Sequence, residues 1–218
     1  MSRKNLIRQI VDAILSAEHS HPLRVAIDGI DAAGKTSLAN ELVEPLEAHG
    51  RDIIRASIDG FHNPRELRYR QGKDSPEGYF FDSFNYKALI DSLLKPLGPN
   101  GNLEYQTSVF DFQSDTQINP HTHHAQKDAI LIFDGVFLLR PELISYWDFS
   151  IFVAIDLDIS VERASQRDQY LFGSAEDVRK RYWKRYVPGQ RIYLTTCQPR
   201  QHADIIIDNN DFMHPRII

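Results

Sequence analysis

Lys35 and Thr36 stand side by side at the end of a glycine-bounded loop, Gly29-Ile30-Asp31-Ala32-Ala33-Gly34-Lys35-Thr36, and are well suited to chemistry on phosphate. The string fits G-x-x-x-x-G-K-[ST], in which backbone N–H groups face phosphate oxygens and the lysine ammonium reaches the β- and γ-phosphates of a nucleoside triphosphate. Glycine allows the tight turn and the close backbone approach, and the positive end of the following helix dipole adds to the attraction. The Thr36 hydroxyl is placed to ligate Mg²⁺, and Ser37 continues the same turn. The alternative is a glycine-rich turn that caps an ordinary helix.

Acids could supply the rest of a phosphoryl-transfer site. Asp134 closes the apolar run Ala129-Ile130-Leu131-Ile132-Phe133, as expected of an acid that holds Mg²⁺ opposite Thr36; a cap is the other reading. Asp59 ends the run at residues 52–59, from where it could take a proton from an attacking hydroxyl, or simply form an Asp-Gly turn. Cations crowd residues 163–191, and a lid bearing them could close over the nucleotide and neutralise charge on the transferred group. Most fit a solvated basic face, but Arg163 and Arg167, four residues apart on one helical face, are the better candidates for phosphate contact. His121, His123 and His124 read as an exposed loop, having no acid or cysteine at ligand spacing. Phe61, Tyr79, Phe80, Phe81, Phe110 and Phe112 crowd into polar loops beside Asp59, Asp82 and Asp111, consistent either with core packing or with the walls of a planar-ligand pocket.

These residues need a frame. Residues 24–28 read as a buried strand, and Leu38, Leu42 and Leu46 recur as on one face of a helix, so strand, loop and helix follow in the required order. Unalternating apolar runs at 129–133, 149–157 and 205–207 indicate strands covered on both faces. Helical patterns at 86–94, 160–168 and 175–186 lie among them. The prediction is an α/β, three-layer fold with about five parallel strands, helices on both faces and a helical lid. Every predicted strand ends in an acid (Asp28, Asp59, Asp134, Asp156, Asp208), and ligands of such sheets sit beyond those ends. Residues 60–85 and 105–116 are expected to be acceptor-binding loops within one domain spanning residues 1–218.

With 218 residues, 42% of them hydrophobic, the chain can bury one substantial core. A net charge of −5 disfavours nucleic acid as the main ligand. Polar residues interrupt the N-terminal apolar stripe, and no run is long enough to cross a bilayer, so a soluble protein with no membrane partner is expected. The single Cys197 excludes an internal disulfide and fits a reducing cytoplasm, as a small buried thiol.

Over residues 22–212 the chain resembles the uridine kinase-like group of P-loop kinases. Asp59-Gly60-Phe61-His62 is similar to that family's Asp-Ser-Phe-Tyr, and Phe81-Asp82 to its Phe-Asp. Phe110-Asp111-Phe112 is similar to its Tyr-Asp-Phe, Asp134-Gly135-Val136-Phe137 to Glu-Gly-Ile-Leu, Arg167-Asp168 to the Arg-Asp of the lid, and residues 203–207 to Ala-Asp-Ile-Ile-Ile. The resemblance implies ATP and Mg²⁺ as cofactors. It makes Asp59 the base for a nucleoside 5′-hydroxyl, and Phe61, His62, Phe81, Asp82, Phe110, Asp111 and Phe112 the acceptor site. A homo-oligomer is implied by the resemblance alone. Where the family has a base-reading histidine this chain has Asp115, and the Arg-Gly-Arg string after the lid Arg-Asp is missing. The loop is also similar to that of thymidylate kinases, whose Arg-Glu-Pro-Gly is absent.

The expected function is therefore an ATP-dependent kinase acting on a small-molecule hydroxyl, foremost that of uridine or cytidine. A pantothenate-, sugar- or nucleotide-type acceptor is the first alternative. A nucleotide-dependent switch is the second, although no Asn-Lys-x-Asp guanine reader is present.

Overall fold

Runs of β-branched and aromatic residues without polar alternation can be buried only where helices cover both faces of a sheet, and the chain builds such a sheet. The computed structural model describes residues 2–17, 19–119 and 121–218. Helix α1 (Arg3–Ser16) is capped by the Ser2 hydroxyl and buries Leu6, Ile10, Val11 and Ile14. Strand β1 (Leu23–Gly29), buried throughout, enters the glycine loop and then α2 (Lys35–Glu47), which buries Leu38, Leu42 and Leu46. β2 (Ile53–Ser57) is followed at once by a 3₁₀ turn, Ile58–Phe61.

Next come three short helices, α3 (Arg65–Arg68), α4 (Pro76–Asp82) and α5 (Tyr86–Leu89), the last passing into a π-helical turn at Ile90–Leu94. Two-residue strands β3 (Glu104–Tyr105), β4 (Phe110–Asp111), β5 (Thr116–Gln117) and β6 (His123–His124) pair as β3 with β6 and β4 with β5. β7 (Ile130–Gly135) and β8 (Phe149–Ala154) are the remaining long apolar strands. Helices α6 (Leu157–Arg167), α7 (Gln169–Phe172) and α8 (Ala175–Arg181) follow, then a π-helical turn at Tyr182–Tyr186 that leads into α9 (Val187–Thr196). β9 (Ile205–Asp208) and β10 (Arg216–Ile217) close the chain.

The main sheet runs β10-β9-β8-β1-β7-β2, with five parallel strands and an antiparallel β10 at one edge. It therefore has six strands, one more than the hydrophobic pattern shows. Two residues are too few to leave a periodic signal, and β10 is joined to β9 partly through Arg216, whose guanidinium bonds Asp208. Alternate residues of β1 point to opposite layers. Val25 and Ile27 pack with α1 and α2, while Ala26 faces the layer of Phe133, Leu89 and Tyr193. A third, small cluster of Val161, Ala164, Val178, Tyr182 and Val187 holds the helices after β8 together.

Three boundaries differ from the sequence pattern. Residues 60–85 are not a bare loop: Ser75 caps α4 with Pro76 at its first position, a start signal that the polar surroundings obscured. The strand at 149 stops at Ala154, because Asp156 already occupies the N-cap of α6. The helix expected at 175–186 continues through the π turn to Thr196. Cys197 is buried, as a small thiol should be. Among the described residues no helix is long and apolar enough to cross a membrane.

Candidate active site

Parallel pairing brings the carboxyl ends of the strands to one edge of the sheet. Asp28 is in register with Gly135, and Asp134 with both Ile27 and Ser57, so β1, β2 and β7 deliver their last residues to one place. The chain leaves β1 for β2 on one side and reaches β8 on the other, and ligands of open α/β sheets sit at such a switch.

The glycine loop is wound in a strained conformation. Gly34 caps α2 at φ 93°, and Ala32 adopts a left-handed φ of 56°, which costs an alanine about 1–2 kcal/mol. Strain of this kind persists where surrounding contacts over-determine it. Here Ser160 Oγ donates to Asp31 O at 2.7 Å, and Asn209 Nδ2 donates to Ala33 O at 2.7 Å. Lys35 is buried, and its ammonium donates to Ile30 O at 2.7 Å. Burial pushes its pKa down, against the fields of Asp31, Asp28 and Asp134. Thr36 and Ser37 are exposed on the first turn of α2.

The Thr36 hydroxyl donates to Asp134 Oδ2 at 2.6 Å, and Arg55 Nη2 donates to Asp134 Oδ1 at 2.9 Å. Hydroxyl and carboxylate oxygens are the hard ligands Mg²⁺ takes, and such sites use one or two side chains and leave the remaining positions to water and phosphate. The pair therefore fits a Mg²⁺–triphosphate complex. Arg55 carried no sequence signal beyond being a polar residue in a strand.

Asp59 lies in the turn after β2 rather than within the strand. Its side chain is 62% accessible. The protein around it still displaces water, and that desolvation raises its pKa; Asp134 and Asp31 add to the rise, while His62 and Lys35 oppose it. His62 is clamped between Phe84 and Phe112, with ring centroids 4.6 and 5.0 Å away, and its Nδ1 meets Asp59 O at 3.0 Å. Since that oxygen only accepts, Nδ1 carries the proton. Desolvation lowers the His62 pKa against the pull of Asp59.

The other acceptor candidates divide. Phe61 is fully buried against Phe133, and Phe110 is buried as well, so both support the turn from within the core. Phe81 is exposed, and Phe112 packs on His62. Asp82 is 5% exposed and takes Arg70 Nη2 at 2.5 Å and Gln71 Nε2 at 2.6 Å. Desolvation alone would raise its pKa, but these donors hold it below the usual carboxylate range. Asp115 accepts from Arg65 N at 2.9 Å and Arg68 Nη2 at 2.7 Å, and Asp111 bonds its own turn through Gln113 N and Ser114 Oγ.

The two lid arginines also part company. Arg163 Nη2 binds the carbonyls of Asn209 and Asn210 at 2.8 and 3.0 Å, which turns it towards the C-terminal segment. Arg167 is held by Asp168 at 2.6 Å, and its field reaches both Lys35 and Asp31. Arg185, with its guanidinium against the carbonyls of Arg68, Gly72, Lys73 and Ser75, organises the connection before α4. The histidines at 123 and 124 form the exposed strand β6. A cavity of about 590 Å³ lies beside Arg24, Lys95 and Tyr146, away from the loop, so volume alone does not mark the site.

A strand–loop–helix with lysine and hydroxyl facing an acid on the neighbouring strand defines the P-loop class of nucleotide-using folds. Within that class the chain belongs to the phosphoribulokinase / uridine kinase family, whose model matches residues 25–212. It is similar to uridine-cytidine kinase B of Dictyostelium discoideum, 28% identical over 198 residues, which cover 88% of this chain and 77% of that protein. A Bacillus stearothermophilus structure described as a possible uridine kinase has the same fold, with a TM-score of 0.73 and 22% identity over 93% of this chain and 97% of that one. D-glycerate 3-kinase from Cryptococcus neoformans var. grubii shares the fold at a TM-score of 0.61 and 14% identity, covering 98% and 97% of the two chains. The fold is thus common to proteins named for different acceptors, and the acceptor must be argued from the site.

Proposed function

We propose that the protein transfers the γ-phosphoryl group of ATP to a hydroxyl of a small molecule, with a nucleoside 5′-hydroxyl as the leading acceptor. The observation that carries this reading is the Thr36–Asp134 contact at 2.6 Å beneath a turn that presents Asp59 to solvent. Bound Mg²⁺ would supply charge neutralisation at the β- and γ-phosphate oxygens. Lys35 holds the same phosphates from the loop, once its ammonium leaves Ile30 O. Arg167, swinging on α6, meets charge that develops on the transferred group. Asp59 accepts the acceptor's proton, and a pKa raised from the ordinary carboxylate value makes it a better base. His62 fixes the turn that carries it.

One observation favours an acceptor other than a nucleoside. Asp82 and Asp115, where the family resemblance places acceptor readers, are already engaged by Arg70, Gln71 and Arg68. Nucleoside hydroxyls would have to displace those donors, whereas an acceptor with its own anionic group could pair with the arginines. The test is a phosphate-acceptor screen with labelled ATP and Mg²⁺ across uridine, cytidine, pantothenate, sugars, glycerate and nucleoside monophosphates. Label transfer that requires an added hydroxyl acceptor supports the kinase reading. ATP consumption indifferent to all of them would overturn it.

A further inference from the structure

A carboxylate inside a loop that receives polyphosphate opposes its own ligand unless it serves another contact. Asp31 is such a residue, and its partners all lie outside the loop. The Tyr79 hydroxyl, on α4, donates to Asp31 Oδ2 at 2.7 Å, and Gln190 Nε2, on α9, donates to the same oxygen at 2.5 Å. One turn along α9, the Tyr193 hydroxyl donates to Asp28, at the end of β1, and accepts from Leu139 N at 3.1 Å. Gln190 and Tyr193 share one helical face. A single helix therefore grips both acids that flank Gly29.

The junction between α4 and α9 is tight. A Cβ at Gly189 would lie 2.7 Å from the Tyr79 ring and 2.9 Å from Pro76 O. Gln190 is fully buried, yet its Oε1 has no partner. An orphaned polar atom of this kind calls for an explanation, and a functional junction is one. The Tyr79 hydroxyl stays a donor at any ordinary pH, since desolvation and the nearby Asp31 push its pKa well up.

We infer that Asp31, Tyr79 and Gln190 couple occupancy of the triphosphate loop to the position of α4, the helix that carries Phe81 and Asp82. The coupling has a physical source. With the loop free of phosphate, Asp31 shares the fields of Lys35 and Arg167. Phosphates that engage those cations leave Asp31 dependent on Tyr79 and Gln190, so these hydrogen bonds strengthen and hold α4 more firmly to the loop. By linkage, an acceptor that orders α4 strengthens nucleotide binding by the same factor. Tyr79 and Gln190 are positioning residues here, and the inference rests on the proposed donor site.

Hydrogen exchange with and without saturating AMP-PNP and Mg²⁺ tests it, with binding measured separately by calorimetry. In the wild type, amides of residues 76–82 should slow by about fivefold or more on nucleotide binding. In Tyr79→Phe, which removes only the hydroxyl, the slowing should fall below about twofold. Asp31→Asn keeps an oxygen that accepts from Tyr79 but has no charge to share with Lys35 and Arg167, so it should lose the response as Asp31→Ala does. Equal slowing in wild type and Tyr79→Phe would overturn the coupling, as would AMP-PNP that binds the wild type without slowing these amides; both leave the donor site standing. Failure of AMP-PNP to bind the wild type would overturn the donor site and the coupling together.

Discussion

At Asp59, solvent access and partial desolvation act on one carboxyl. The side chain is open enough to meet an acceptor, while desolvation and the neighbouring Asp134 and Asp31 keep its proton affinity high. Replacing it with Asn removes the proposed base and leaves the proposed phosphate-binding groups in place. Transfer should fall by about 10²–10⁴-fold, the usual contribution of a general base, with ATP affinity by calorimetry unchanged. The folded-state pKa lies above the unfolded one, so the stabilising contribution of the carboxyl is fully present below the unfolded pKa and is lost as pH rises through the folded pKa. Asp59→Asn should accordingly raise the Tm relative to wild type more at pH 7 than at pH 4. A difference that does not vary with pH would show that Asp59 is not desolvated in solution. For activity the same shift means that kcat/KM climbs with pH above the ordinary carboxylate range before it levels.

Among the elements, the α4–α9 contact brings the helix carrying Phe81 and Asp82 against the helix that grips the loop. Gly189 is inside α9, where alanine would normally be favoured by about 1 kcal/mol. Its missing Cβ is what lets Tyr79 and the Pro76 carbonyl approach. Gly189→Ala should destabilise the protein by about 1–3 kcal/mol through overpacking, despite the better helix propensity, and thermal denaturation would read this as a lower Tm. An unchanged or higher Tm would mean that the two helices separate at little cost. The short helices α3 and α4 and the two π turns were largely hidden in the sequence. Local pattern is weakest where four to seven residues take their conformation from partners far along the chain, as Arg185 does by binding four carbonyls between residues 68 and 75.

For the whole molecule, nucleotide binding and stability are the same quantity seen twice. A ligand that binds only the folded state adds RT ln(1 + [L]/Kd), about 2.7 kcal/mol at a hundredfold excess over Kd. For a chain of this size that is a rise in Tm of about 5–11 °C. Mg²⁺ with AMP-PNP should produce such a rise in the wild type and little in Lys35→Ala, whereas EDTA should reduce the wild-type rise. A rise that survives Lys35→Ala would place the nucleotide elsewhere. The buried Lys35 ammonium, its pKa lowered by desolvation, stands to gain from an arriving anion.

Residue order alone carried the parts whose chemistry is local. The spacing of glycine, lysine and hydroxyl over residues 29–36 reads as a phosphate loop, because it can aim backbone donors and a cation at one point. The apolar runs around residues 25, 131 and 151 read as doubly covered strands, and they are, with Asp134 next to the last residue of one of them. Tertiary structure alone decided what each acid faces. Pairing of β7 with both β1 and β2 sets Asp134 against Thr36 and Arg55. Packing of α4 and α9 gives Asp31 to Tyr79 and Gln190, while Arg68 of α3 closes Asp115 and Arg70, just after that helix, closes Asp82. A hydrogen bond between residues 48 or 159 positions apart leaves no trace in local composition, since its energy depends on distance in space and not along the chain.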